Sequence, residues 1–377
     1  MSNTVKHPPK FSIDMSQNKY STRYDRLMNI LYYSTELPSD LYLHMNMSCE
    51  NYRKAIQILK QRRLIKSLRK GGKTGYVLGL AGKKLICHAN YMKYSECIDD
   101  IKRQYDAAHR MRKFQFAYLY ALFDRVGIPY ETFAKPPLSN DVVNENAVYF
   151  YTAVDLKRML GMDATSFKGS RVMGFLIGKG KIIAVYRTNQ MIKSFSSVEK
   201  LIPFFMLRYF RVRVETAIII CNDNEAVSSM TEQLYDSYRN KEKTGLNTAQ
   251  YKYFYLFPSD DSFLSRFEDL YADHTAAEHR VIQRYGIDTS DRDHDGRRRI
   301  MSGTGYLYDS PILICTGNVN AVDLNRFIFC AVFNDLFSYI LCQQRDLKAL
   351  QKATSNYPIE VLPIHETVIP PARGYPT

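Results

Sequence analysis

The spacing of apolar positions divides the first ninety residues into short helices followed by a hairpin. Tyr24 to Tyr33 (YDRLMNILYY) sets Leu27, Ile30 and Leu31 three and four apart, as one face of a helix requires. Ser39 can cap a second short helix through Leu41 and Leu43, which Asn46 breaks. Ser48 can cap a third, over roughly Cys49 to Arg63. The third helix turns Tyr52, Ile56 and Leu59 one way and Asn51, Lys54, Gln57 and Gln61 the other, with Arg53 beside them. Leu64 to Arg69 and Tyr76 to Leu80 then read as two short strands around Lys70-Gly71-Gly72-Lys73-Thr74-Gly75, where glycines permit the positive φ of a tight turn.

Further on, Ile98 to Val126 reads as one long helix with Phe114, Ala117, Tyr118, Ala121 and Leu122 at helical spacing, stopped by Gly127-Ile128-Pro129. Lys135 to Asn146, with Pro136, Pro137 and several Asn, reads as a linker. Strands are expected at Ala147 to Thr152, Arg171 to Ile177, Lys181 to Thr188, Thr216 to Cys221, Tyr251 to Phe257 and Pro311 to Cys315. Helices are expected at Val198 to Tyr209, Asn224 to Tyr238 and Asp323 to Tyr339. With the long helix in front, the order αβββαβ predicts a mixed sheet covered by helices, an α+β or α/β domain. Ile218-Ile219-Ile220-Cys221-Asn222-Asp223-Asn224 and Ile312-Leu313-Ile314-Cys315-Thr316-Gly317-Asn318 repeat one another weakly, each a buried strand running through a polar loop into a helix.

At 377 residues and 45% apolar composition, two globular units are expected. The reading divides the chain into an N-terminal arm (1–20), a first domain (21–95), a connecting long helix (96–134), an α/β domain (147–345) and a C-terminal tail (346–377). No apolar run reaches the length of a membrane span and the N-terminus lacks a signal-peptide pattern, so a cytoplasmic protein without membrane contact is expected. The seven cysteines show no CxxC or metal-ligand spacing, so neither disulfides nor a metal or other cofactor is expected.

Charge changes the picture. The net charge is +14, and residues 1–113, with 22 basic and 9 acidic side chains, supply +13 of it. From Arg53 to Lys84 there are eleven basic residues and no acid. A field of one sign at that density suits a polyanion, because each phosphate contact releases condensed counterions. The basic N-terminal half of the long helix (Lys102, Arg103, Arg110, Arg112, Lys113) would extend the same surface.

Helix, short helix, third helix and glycine-turned hairpin, followed by Leu80-Ala81-Gly82 where a final helix begins, resemble a winged helix-turn-helix. That resemblance implies binding of double-stranded DNA. Asn51, Lys54 and Gln57 would read bases, while Arg53, Lys60, Lys66, Lys70 and Lys73 would hold backbone, with Ser48, Gln61, Arg69 and Thr74 in the same interface.

The longer order, this domain, a long helix and then αβββαβ, resembles the replication-relaxation or mobilisation accessory family, with Ala108-His109-Arg110-Met111 and Gly127-Ile128-Pro129 flanking the long helix as in that family. The resemblance implies a restriction-endonuclease-like core. In active nucleases of that type an Asp opens the second core strand and (Asp/Glu)-x-Lys lies on the third. Here those places read Gly169-Ser170-Arg171 and Ile182-Ile183-Ala184-Val185-Tyr186-Arg187, so a degenerate core without cleavage is expected. Ser170, Arg171, Tyr186, Arg187 and Asn189 could still hold a phosphate, or the sheet could simply pack.

Asp291-Arg292-Asp293-His294-Asp295-Gly296 copies the start of an EF-hand loop but has Ser302 where a bidentate Glu belongs, which argues against calcium. His274 and His279 are five apart, unlike a zinc pair. Tyr149, Tyr151, Tyr251, Tyr253 and Tyr255 alternate along strands and could either stack bases or pack a core. The resulting expectation is a non-enzymatic DNA-binding protein of a mobile genetic element, with a relaxase or replication protein as a further partner and a homodimer as the form that would match a palindromic site. The alternatives are a nuclease with carboxylates from Asp155, Asp163 or Glu199, and a scaffold whose first domain contacts protein.

Overall fold

Regular hydrogen bonding and alternating burial resolve a mixed α/β protein with three sheets in a computed structural model that describes residues 23–89, 107–159, 170–189, 197–239, 251–286, 304–307, 310–333 and 335–364. Two compact units divide the chain: Met1–Gly127 with Glu131–Phe133, and Ile128–Tyr130 with Ala134–Thr377. Among the described residues no helix is long and apolar enough to cross a membrane.

In the first unit, α1 (Arg23–Ser34) buries Leu27, Ile30 and Leu31 completely. The two-residue strand β1 (Leu37–Pro38) follows. The expected second helix is a single 3-10 turn, Leu41–His44, with Leu43 left exposed. Helix α2 (Cys49–Gln61) is capped by the Ser48 hydroxyl, which accepts from the Asn51 amide at 3.2 Å. Its apolar side buries Tyr52, Ile56 and Leu59, and the Tyr52 hydroxyl donates to the Pro38 carbonyl at 2.7 Å. Strands β2 (Ile65–Lys70) and β3 (Lys73–Leu78) form the hairpin, and β1 completes the sheet in the order β1-β3-β2. Gly71 and Gly72 both have positive φ, as a two-residue primed turn demands. Helix α3 (Leu80–Ala89) follows. Helix α4 (Ala107–Val126) covers the described residues of the helix expected over Ile98 to Val126, belongs to this unit and pairs with α1 through Arg26 and Asp124 at 2.5 Å.

The second unit is built on a five-stranded sheet ordered β4-β5-β6-β7-β8: β4 (Tyr149–Thr152), β5 (Gly174–Gly178), β6 (Lys181–Arg187), β7 (Thr216–Cys221) and β8 (Tyr253–Pro258). The first three form an antiparallel meander; β6, β7 and β8 run parallel. Interleaved are α5 (Asn140–Asn144), α6 (Ala153–Met159), α7 (Ser197–Phe210) and α8 (Asn224–Arg239). Phe175, Ala184, Ile219 and Phe254 on one sheet face pack against Val142 and Val143 of α5, Ile202 and Met206 of α7, and Met230 and Leu234 of α8. The opposite face buries Leu176, Ile183, Ile218 and Ile220 as well, which explains why Ile218-Ile219-Ile220 is continuously apolar. Each such side chain stabilises the unit by about 1.5–3 kcal/mol.

A second, four-stranded sheet has the order β12-β11-β10-β9, made by β9 (Thr304–Leu307), β10 (Ser310–Cys315), β11 (Ser338–Cys342) and β12 (Ile359–Pro363). Its helices are α11 (Ala321–Phe333) and α12 (Gln344–Thr354), preceded in the chain by α9 (Phe263–Asp269) and α10 (Thr275–Tyr285). The two repeated segments end β7 and β10, and each strand pairs in parallel with the next strand in sequence.

Three sequence expectations are corrected here. The stretch Lys135 to Asn146 is no free linker, because it forms α5 and buries Val142 and Val143 in the core. The helix expected at Asp323 to Tyr339 stops at Phe333 and gives way to β11, since a short buried apolar run has no period to tell strand from helix. The tail expected from residue 346 is structured: α12 buries Leu350 and Ala353, and β12 pairs with β11 from Ile359↔Ser338 onward.

Candidate nucleic-acid interface

Capping by Ser48 and burial of Tyr52, Ala55, Ile56 and Leu59 leave Asn51, Arg53, Lys54, Gln57, Lys60 and Gln61 exposed on α2. All six expected residues therefore share the solvent side of one helix. Ser48 itself is committed to the cap. Glu50 shares that side, and its carboxylate lies 2.5 Å from the Lys54 ammonium in an exposed i,i+4 pair. The Arg23 guanidinium donates to the Asn51 amide oxygen at 3.5 Å.

The hairpin splits the remaining residues by strand alternation. Register pairs Ser67 with Tyr76, Arg69 with Thr74, and Lys70 with Lys73. Arg69, Thr74 and Tyr76 lie on the face toward α2: the Lys60 ammonium stands 4.9 Å over the Tyr76 ring. Burial pushes the Tyr76 phenol above its ordinary pKa while Arg53 and Arg69 pull it back, so both guanidiniums act on that ring. Lys66, Lys70 and Lys73 alternate to the other face, where the Lys73 ammonium approaches the Met111 sulfur of α4 at 3.7 Å. Lys66, Arg69, Lys70 and Lys73 are all exposed, and Thr74 is half-buried.

Arg110 does not extend this surface. It is 4% exposed and paired with buried Glu36. Lys102 and Arg103 lie outside the described residues.

In the second unit the candidate phosphate contacts do not form a surface cluster. Tyr186 is 1% exposed and shares a hydrogen bond of 3.1 Å with the Tyr251 hydroxyl inside the core. Ser170 is buried, and its hydroxyl accepts from the Val172 amide. Arg171 is exposed, with its amide donating to Glu199 at 2.7 Å. The structure does bring Arg187 and Asn189 together at the end of β6, both on Asn222: Arg187 donates to its side-chain oxygen at 3.0 Å, and the Asn222 amide donates to Asn189 at 2.8 Å. Sequence reading missed Asn222, whose position just past a buried strand was the available signal.

Of the carboxylates considered for cleavage, Asp155 and Glu199 are engaged within the fold. Asp155 is 2.7 Å from the Lys135 ammonium and accepts from the Thr152 amide at 2.8 Å. Glu199 is 2% exposed. Asp163 and the loop from Asp291 to Ser302 lie outside the described residues. Among the described residues no group of three or more His, Cys, Asp or Glu is placed to hold a metal ion. His274 precedes α10 and His279 is exposed on it. Of the tyrosine rows, Tyr151 and Tyr251 are core residues, while Tyr253 and Tyr255 stack at 6.4 Å on the sheet. Comparison with family models, with curated proteins and with solved structures finds no match to this chain.

Proposed function

We propose that the first unit is a winged helix-turn-helix that binds double-stranded DNA, with α2 as recognition helix and the β2–β3 hairpin as wing. The observation that carries this reading is the set of exposed cations on α2 and the hairpin: Arg53, Lys54 and Lys60 on the helix with Arg69 on the hairpin face toward it, and Lys66, Lys70 and Lys73 on the hairpin's other face, with Glu50 the one carboxylate of these elements. Asn51 and Gln57 offer donor and acceptor pairs suited to adenine edges, while the cations fit phosphates or guanine. Arg69 and Thr74 join the helix surface, and Lys70 and Lys73 flank the turn at the tip.

The wider role, in replication or mobilisation of a mobile genetic element or in regulating it, rests on the order of elements resembling replication-relaxation proteins. The second unit is read as a scaffold of endonuclease-like topology whose β5 and β6 lack the metal-binding carboxylates. In this reading the protein binds DNA without cutting it, and a relaxase or replication protein is its expected partner.

Fluorescence anisotropy of a labelled duplex, titrated with protein at several salt concentrations, tests the DNA reading. Affinity should fall steeply with salt, and Arg53→Ala with Arg69→Ala should flatten the slope by about two phosphate contacts, or 1.8 in log–log units. Equal affinity of the wild type and this double variant at every salt concentration would sink it.

A further inference from the structure

The wing would be useful for binding only if its direction were fixed, and β1 pairs with β3 over just Leu37↔Tyr76 and Pro38↔Gly75, which leaves β2 and the turn with no second strand to hold them. Beneath this one lies a buried ion pair that belongs to neither strand. Glu36, between α1 and β1, is 1% exposed, and Arg110, on α4, is 4% exposed. The Arg110 guanidinium donates to both Glu36 carboxylate oxygens, through Nε at 3.1 Å to each and through Nη2 at 2.5 Å. The same group reaches the hairpin backbone: Nη1 donates to the Lys70 carbonyl at 2.5 Å and Nη2 to the Leu68 carbonyl at 3.4 Å. Lys70 is the last residue of β2 before the turn.

Gly75 makes room for the pair. A Cβ there would lie 2.3 Å from the Glu36 Oε1 atom and 3.0 Å from the Phe114 ring. Gly75 faces Leu68 across the ladder, so the missing side chain opens the hairpin where Arg110 enters. Phe114, one turn along α4, lies under the guanidinium at 5.6 Å. Farther along the same helix the Tyr118 hydroxyl donates to Asp40 at 2.6 Å, just before the 3-10 turn that leads into α2. One helix thus holds the hairpin at one point and the approach to the recognition helix at another.

We propose that the Glu36–Arg110 pair, seated in the notch left by Gly75, positions the wing and so sets where Lys70 and Lys73 meet the DNA backbone. This rests on the DNA-binding reading, and Arg110 is in it a positioning residue that touches no DNA. A planar guanidinium suits the role because its fixed fork can serve a carboxylate and two carbonyls together. The pair also explains why this basic residue lies among the acid-free run's neighbours yet adds nothing to the exposed charge.

The test uses the full-length protein and the double variant Glu36→Gln/Arg110→Met, which leaves no buried charge unpaired. Hydrogen exchange should quicken about tenfold or more in residues 65–78 while the α2 amides keep their rates; unchanged hairpin exchange would overturn the proposal. Arg110→Lys, which keeps the charge but not the fork, should show the same pattern more weakly and serves if the double variant fails to fold. Binding of a fluorescein-labelled 30-base-pair duplex then closes a cycle with Lys70→Ala/Lys73→Ala. The lysine substitutions should weaken binding in the native background and by less than about twofold in the Glu36→Gln/Arg110→Met background. Equal losses in both backgrounds would overturn the positioning role. If the lysines matter in neither background while hairpin exchange still quickens, the wing's contact with DNA fails and the pair stands as the hairpin's anchor alone.

Discussion

Glu50→Gln should tighten DNA binding. Glu50 is the one carboxylate on the exposed side of α2, and it holds Lys54 in an ion pair of 2.5 Å with 60% of the lysine side chain and 75% of the glutamate side chain exposed. So open a pair stabilises the helix by only about 0.3–0.5 kcal/mol, and the loss of an acid from the first turn costs a similar small amount. Against that, the substitution frees one cation for phosphate. One added contact steepens the log–log salt slope by about 0.9, which at 0.1 M salt corresponds to an affinity gain of up to about eightfold. The assay is anisotropy of a labelled duplex between 50 and 300 mM salt, with thermal unfolding run alongside. Lys54→Ala in the Glu50→Gln background should remove the gain. If Glu50→Gln leaves both affinity and slope unchanged, α2 does not face phosphate and the recognition-helix assignment is wrong.

Four further outcomes follow from other parts of the molecule. Asp155→Ala should cost about 3–5 kcal/mol in urea unfolding, because Lys135, whose side chain is 1% exposed, would lose its carboxylate and keep only the Phe150 carbonyl and the Tyr151 ring as partners, and Lys135→Met added to it should recover most of the loss; a cost below about 1 kcal/mol would contradict this. Thr35 closes α1 at φ 66° with its amide bonded to Leu31, a backbone region costly for a β-branched residue, so Thr35→Gly should raise stability by about 1 kcal/mol in the same measurement. Burial raises the carboxyl pKa of Asp124 above its ordinary value despite Arg26, so its contribution to stability is full below the unfolded pKa and is lost as pH rises through the folded one. Asp124→Asn should therefore gain stability relative to the native protein as pH rises above about 4, and a flat difference between pH 3 and 7 would refute it. Burial pushes the Cys221 and Cys342 thiols up to about 12, so at pH 8 iodoacetamide should label them only after unfolding, as read by peptide mass spectrometry.

Local pattern carried much of this protein. The three-and-four spacing in α1 and α2, the Ser48 cap and the glycine turn depend on neighbours within a few residues, and so they stand in the sequence. The same holds for the exposed α2 residues, since a helix buries one side and exposes the other by its period alone. Strands β7 and β8 were legible because continuous Ile and alternating Tyr mark strands buried on one or both faces.

Only the tertiary structure decided the rest. Arg110 looks like one more surface cation in the chain, and its burial depends on Glu36, 74 residues away, and on a notch at Gly75. Tyr186 reads as available for a phosphate until its partner Tyr251 appears, 65 residues on, in the core. The α12 and β12 elements follow the same rule: a short parallel strand such as Ile359–Pro363 takes its ladder pairing from β11, so no local signal announces it. The sequence by itself determined which surface is basic and which residues are exposed on α2. The seating of the β2–β3 hairpin and the fate of each buried charge were decided by contacts between residues far apart in the chain, because desolvation and pairing depend on what surrounds a group in space and not on its neighbours along the backbone.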